Sequence, residues 1–206
     1  EGPGGFIEAF VNYRKNKNFE NDYVYGITLK SVNKDVPGWK KTKDFLSIND
    51  NVIISYGKDD TGNIYNIENI KSFINLVKKR SVELVTADGG FDFSINFNKQ
   101  EQLACRMIYC EIIMNLFLQK EGGSFVCKIF DIYTDITISF IYLLSCCYEK
   151  IIIYKPLTSR PANSEKYIIC CNFKFIDDNY LNQLLLLVKK WDIVENIDKE
   201  VSQIFD

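Results

Sequence analysis

The sequence predicts an α/β sandwich around a mostly parallel sheet, with one antiparallel strand near the C-terminus. Three observations carry that expectation. Short segments rich in β-branched and aromatic residues alternate with longer ones of helical periodicity. The short segments are apolar nearly throughout, as in strands covered by helices on both faces. Near the end, two strand-like segments follow one another across a loop with no helix between them, so the second should run antiparallel to its neighbour.

The elements follow in order. Residues 1–5 form a turn feeding a helix over 6–15, and YVYGITL at 23–29 is rich in strand formers. Residues 31–43 are polar and contain Pro37-Gly38, a turn signal, which predicts a loop. A second strand is expected over 52–56 and a loop over 59–66. Asn66 or Asn69 then caps a helix to about residue 79, with Ile67, Ile70, Phe73, Ile74 and Val77 on one face. VELVTA at 82–87 reads as a third strand, ending at Asp88-Gly89-Gly90. The strongest helical signal runs from 99 to about 120, where Leu103, Met107, Cys110, Met114 and Phe117 keep helical spacing and Gly122-Gly123 marks the stop. A strand over 124–130, a buried helix over 136–147 and a strand over 150–154 come next. After a loop at 156–164, the last strand spans 166–171, an amphipathic helix runs from 178 to about 190, and 191–206 is a polar tail.

The chain has 206 residues, 47% of them hydrophobic, which suits one domain with a substantial core. It contains no histidine, which excludes Ser-His and Cys-His catalysis and His-ligated metals. Its seven cysteines include no C-x-x-C spacing, so no metal site is expected, and buried thiols in a reducing compartment are. The net charge of −2 means that any grip on nucleic acid must come from a local groove or from further sequence. The longest apolar stretch, 136–147, falls short of the roughly 18 residues a membrane span needs, so no membrane association is expected. The chain starts without Met and opens on a glycine-rich turn, which suggests the C-terminal part of a longer protein.

Four places could carry chemistry. Gly2-Pro3-Gly4-Gly5-Phe6 precedes a helix, where backbone can approach a ligand and unpaired N–H groups are available, although about one such turn in three is a plain turn. Asp88 closes a strand, and in open α/β sheets ligands bind at such C-terminal strand ends, although an Asp before Gly-Gly is also a turn former. Lys128 interrupts the apolar strand SFVCKIF, where a lysine needs a partner unless it snorkels from an edge. Glu165 precedes the last strand and by itself would be a solvated rim charge. The convergence of Asp88, Lys128 and Glu165 on strand ends favours a common site.

These segments, GPGGF (2–6), GITLK (26–30), TADGGF (86–91), CKIFD (127–131), YLLSCC (142–147) and SRPANSEKY (159–167), resemble the FtsJ-like RNA 2′-O-methyltransferases that use S-adenosylmethionine, above all those acting on the capped ends of eukaryotic mRNA. The resemblance runs to about residue 175 and implies a Rossmann-like methyltransferase sandwich over 1–190. It implies a catalytic lysine-aspartate-lysine-glutamate tetrad, of which Asp88, Lys128 and Glu165 would be three members. Gly2, Pro3, Gly4, Gly5, Phe6, Asn63, Ile64 and Asp88 would hold the cofactor, with Asn63 replacing the family's aspartate. Arg160 and Asn163 would contact RNA, whereas the loop at 91–98 is too short to carry over the family's contacts. The tetrad's first lysine and the sheet's first strand precede the glycine motif in this family. That strand is therefore expected to be missing here, the domain N-terminally truncated and completed by an upstream part of the same protein. An isolated piece of this length is expected neither to fold nor to methylate RNA.

The expected activity is methylation of the first transcribed nucleotide of capped mRNA, in the nucleus, or in the cytoplasm if the protein is viral. The alternatives are another RNA target (the second cap-adjacent nucleotide, ribosomal RNA or tRNA) and a non-catalytic RNA-binding module that keeps the fold.

Overall fold

The computed structural model describes residues 4–19, 22–30, 39–90 and 99–191. Expectations for Gly2 and Pro3, for the 31–38 part of the predicted loop with its Pro37-Gly38 turn, for the 91–98 loop and for the tail from 192 lie outside the described residues. Helix α1 (Gly5–Lys15) leads to β1 (Val24–Ile27), α2 (Lys43–Ser47), β2 (Val52–Ser55), α3 (Ile67–Val77) and β3 (Val82–Ala87). Then follow α4 (Gln100–Leu118), β4 (Gln119–Ile129), α5 (Asp135–Cys147), β5 (Tyr148–Tyr154), β6 (Lys166–Phe173) and α6 (Asp178–Lys190).

The strands form a two-stranded parallel sheet, β1-β2, and a four-stranded one in the order β3-β4-β6-β5. β3 and β4 run parallel, while β6 lies between β4 and β5 and opposes both. The helixless β5–β6 connection thus gives the antiparallel strand it predicted. The main core gathers α3 to α6 against the larger sheet, and its largest fully buried side chains include Tyr109, Tyr148, Phe125 and Ile113. A smaller core of Ile7, Val11 and Trp39 packs α1 against β1 and β2.

Two expectations need correction. The 31–43 segment is not all loop: Trp39–Thr42 forms a 3-10 turn that runs into α2. The cause is Trp39, which is 5% exposed and needs an ordered backbone to seat its ring in the small core. Gly122-Gly123 does not stop α4 either, since the helix ends at Leu118 and β4 begins at Gln119. Gln119 makes that junction: its buried side chain donates to Val82 O at 2.9 Å and accepts from Tyr148 Oη at 3.0 Å. The glycines instead serve a bulge against β3, where pairing shifts between Val82 and Leu84. Gly122 has φ 78°, and a Cβ on Gly123 would lie 2.8 Å from Glu83 O.

The cap of α3 is Asn66, whose side chain accepts from Glu68 N at 3.0 Å. Of the predicted α3 face, Ile70, Phe73, Ile74 and Val77 are buried and Ile67 packs beside them. On α4, Met107, Cys110, Met114 and Phe117 are buried as predicted, but Leu103 is 53% exposed. This helix is buried on several faces, so one stripe does not describe it.

Candidate active site

In β4, Phe125, Cys127 and Ile129 point into the core, so strand alternation sends Lys128 to the other face. Its amine lies near the C-terminal end of β4, beside Asp88 at the end of the parallel β3. Because β6 runs the other way, it starts where β3 and β4 finish, and that brings in Glu165. Lys128 Nζ is 3.3 Å from Asp88 Oδ1 and 3.8 Å from Glu165 Oε1. Its side chain is only 11% exposed, against 32% for Asp88 and 38% for Glu165. The lysine in the apolar strand therefore has its partners, and it is no snorkelling edge residue.

Further side chains complete the cluster. Tyr167, paired with Lys128 across β4 and β6, donates its hydroxyl to Asp88 Oδ1 at 3.0 Å. Its ring packs 5.8 Å from that of Phe6, which ties the start of α1 to the same end of the sheet. Asn163 Nδ2 donates to Glu165 Oε2 at 2.8 Å. A Cβ on Gly90 would approach Lys128 Nζ to 3.2 Å, so a glycine there keeps the amine in place.

Behind this array sits Glu111 of α4. Gly89 N donates to its Oε1 at 3.0 Å, and Cys127 Sγ is 3.9 Å from its Oε2. Burial pushes the Glu111 carboxyl up to about 7, although the Gly89 N–H and Lys128 favour its charged form. Burial likewise drives the Cys127 thiol well above its ordinary value.

The glycine motif caps α1 with Gly4 at φ 91°, and no side chain caps the helix. A Cβ on Gly4 would strike the Trp39 ring at 2.3 Å, so this glycine also has a packing role. A Cβ on Gly5 would meet nothing within 4 Å, which leaves open space beside the first-turn N–H groups. Such a cradle fits a negatively charged ligand group. Asn63 and Ile64 do not touch the Lys128 cluster. The Asn63 side chain accepts from Tyr65 N at 3.0 Å in the β2–α3 loop, and Ile64 packs against the main core. That loop is organised by buried Asn69 and by Asp59, whose carboxyl is held well below the usual range by Thr61, Asn69 and Asn66.

A cleft of about 700 Å³ opens beside Glu165 and Asn163, with Arg160, Tyr133, Asp131 and Gln100 on its walls. On its floor, Glu101 accepts from Thr134 N at 2.9 Å and Thr134 Oγ1 at 2.7 Å. Burial would raise its carboxyl, but these bonds hold it below the ordinary value. Arg160 faces this cleft and is not part of the Lys128 cluster. Asn163 lines it too, yet its side-chain oxygen is turned inward, accepting from Lys155 Nζ and Ser159 Oγ.

Tyr167, Lys155 and Glu111 escaped sequence reasoning. Tyr167 is an ordinary strand residue and Lys155 an ordinary loop lysine until their partners across the chain are known. Glu111 did leave a signal, since a carboxylate inside the apolar helical run YCEIIM is as anomalous as a lysine inside SFVCKIF.

Residues 1–173 match the FtsJ-like methyltransferase model. The chain is 36% identical over 209 residues to the cap-specific mRNA (nucleoside-2′-O-)-methyltransferase 1 of Homo sapiens, covering 98% of this chain and 24% of that protein. The protein of the same name from Drosophila melanogaster is 33% identical over 214 residues, covering 100% of this chain and 26% of its own length. The chain thus spans about a quarter of the length of these relatives. A crystal structure of a putative ribosomal RNA methyltransferase from Plasmodium falciparum superposes with a TM-score of 0.54, at 17% identity, over 85% of this chain and 84% of that one. It shares the fold. On the family match over most of its length, this chain belongs to the FtsJ-like methyltransferases.

Proposed function

We propose that this chain carries the catalytic domain that methylates the ribose 2′-hydroxyl of RNA, at the first transcribed nucleotide of capped mRNA, with S-adenosylmethionine as donor. The carrying observation is the largely enclosed Lys128 amine, 11% exposed, set between Asp88 and Glu165 at the strand ends. The names of the relatives favour the capped substrate.

S-adenosylmethionine supplies an electrophilic methyl group on sulfur. Gly4, Gly5 and the first turn of α1, with Gly2 and Pro3 ahead of them, would hold it, and Asn63, Ile64 and Asp88 would help. Lys128 steers the 2′-oxygen by hydrogen bonding and takes part in moving its proton. Asp88 and Glu165 fix the amine, and Tyr167 fixes Asp88. Arg160, on the cleft wall, meets RNA phosphate, and Asn163 is retained as an RNA contact through its backbone or remaining amide proton.

We also read the domain as spanning 1–190, with 191–206 as a tail, and as completed by an upstream part of the same protein. The division of the strands into β1-β2 and β3-β4-β6-β5 supports a further strand between the two groups. Tyr25 and Ile27 of β1 pack against the main core, so the smaller sheet lies against it. A nuclear location follows from the proposed substrate. Among the described residues no helix is long and apolar enough to cross a membrane.

The test is to incubate the full-length protein with labelled S-adenosylmethionine and matched capped and uncapped transcripts, then digest to nucleosides. Label in the 2′-O-methylated first nucleotide of the capped transcript is expected. Absence of transfer refutes the activity, and equal transfer to both transcripts refutes the cap preference.

A further inference from the structure

Lys155 follows directly on β5, and Pro156 keeps its backbone extended, so the chain leaves the strand straight before crossing to β6 through 155–165. Eleven residues are long for such a connection, and the described backbone bonds within it are Ser159 N to Pro156 O and Asn163 N to Arg160 O. Lys155 supplies what the backbone does not. Its Nζ reaches Asn163 O at 2.6 Å, the Asn163 side-chain oxygen, and Glu165 O at 2.9 Å. An ammonium has three protons, and these three acceptors use them all.

The chain of contacts runs on into the site. Asn163, held at both its oxygens by Lys155, donates to Glu165 Oε2 at 2.8 Å, and Glu165 Oε1 lies 3.8 Å from Lys128 Nζ. Ser159 Oγ adds a bond to Asn163 Oδ1 at 3.1 Å. We propose that Lys155 is a positioning residue that sets Glu165 against Lys128 by clamping the β5–β6 loop at Asn163 and Glu165. It touches no reacting atom. Both carboxylate oxygens of Glu165 are thereby aimed, one by Asn163 and one by Lys128, and the aim depends on an amine just past the exposed end of β5. This rests on the reaction proposed above, because the positioning is for that chemistry.

The test is Lys155→Met in the full-length protein, which keeps the stem and removes the donors. We expect kcat to fall on the order of 10²-fold, the scale of a misplacement of about 1 Å, with cofactor affinity and the KM for RNA unchanged. In a Glu165→Ala background the same substitution should add little further loss, because the two act through one path. Losses that multiply, or a kcat equal to that of the unsubstituted protein, overturn the proposal. Asn163→Ala breaks the path from the other side with the Lys155 bonds to backbone intact, and serves if Lys155→Met does not fold. A fall in kcat supports the proposal, and a change confined to the KM for RNA overturns it. A crystal structure of either variant is independent of turnover: Glu165 Oε1 still 3.8 Å from Lys128 Nζ overturns the positioning role. A full-length protein that never methylates refutes the reaction, and the crystal comparison still decides the clamp.

Discussion

Replacing Lys128 with methionine should separate catalysis from stability. The stem remains, and the amine goes. Opposite unit charges 3.3 Å apart attract by about 5 kcal/mol at an effective dielectric of about 20. Asp88 keeps a third of its surface in water, so screening leaves on the order of 1–2 kcal/mol. Neither acid is orphaned, because Tyr167 still donates to Asp88 and Asn163 to Glu165. Loss of a desolvated amine offsets part of this. The melting temperature should therefore drop by no more than about 4–8 °C. Turnover should fall much further, by about 10²–10⁴-fold, the range for a group that positions or moves a proton. Transfer of labelled methyl to capped RNA measures the one, a thermal melt the other, and titration calorimetry shows that S-adenosylmethionine still binds. Turnover within about tenfold of the unsubstituted protein would remove Lys128 from the mechanism.

Other expectations are as concrete. Tyr167→Phe deletes the phenol's hydrogen bond to the Asp88 carboxylate, and kcat should drop by about 10-fold or more with little change in cofactor affinity. Gly62→Ala would place a Cβ 1.7 Å from Thr28 O at φ +67°, which the backbone cannot absorb; urea titration should show a loss of at least about 2 kcal/mol. Glu111 provides a pH test. Its carboxyl is raised from 4.5 to about 7, so the folded protein binds that proton more tightly than the unfolded chain. The stabilisation is present below about pH 4.5 and is lost as the pH rises through about 7. Glu111→Gln removes this dependence, so thermal melts of the two proteins should converge in acid and diverge, with the variant the more stable, above about pH 7. Parallel curves would mean that Glu111 does not titrate there.

What the sequence made legible was anomaly and punctuation. Lys128 stood out because an amine in a greasy strand must be paired, and the pairing is there. Asn66 capped α3 where an Asn precedes an apolar helical face. What it hid depended on partners distant in the chain. The function of Gly122-Gly123 required knowing that β3 shifts register beside them, and without that knowledge two glycines read as a helix stop. The turn at Trp39 was invisible because only the small core under α1 explains why a polar segment should order itself. In the site, Asn163 illustrates the limit. Motif position made it a contact for RNA, whereas its side-chain oxygen is occupied by Lys155 and Ser159.

The opposed direction of β6 has a consequence for how much change this protein can tolerate. Lys128 faces Tyr167, and the next rung pairs Ile129 with Lys166. Sliding β6 by a single residue would bring Lys166 opposite Lys128 and turn the tyrosine to the other side of the sheet. Two amines would then confront each other where a phenol now steadies an acid. Insertions or deletions within 166–173 should thus be far more damaging than substitutions of equal size at the strand's exposed positions, because the array is written in the alignment of two strands.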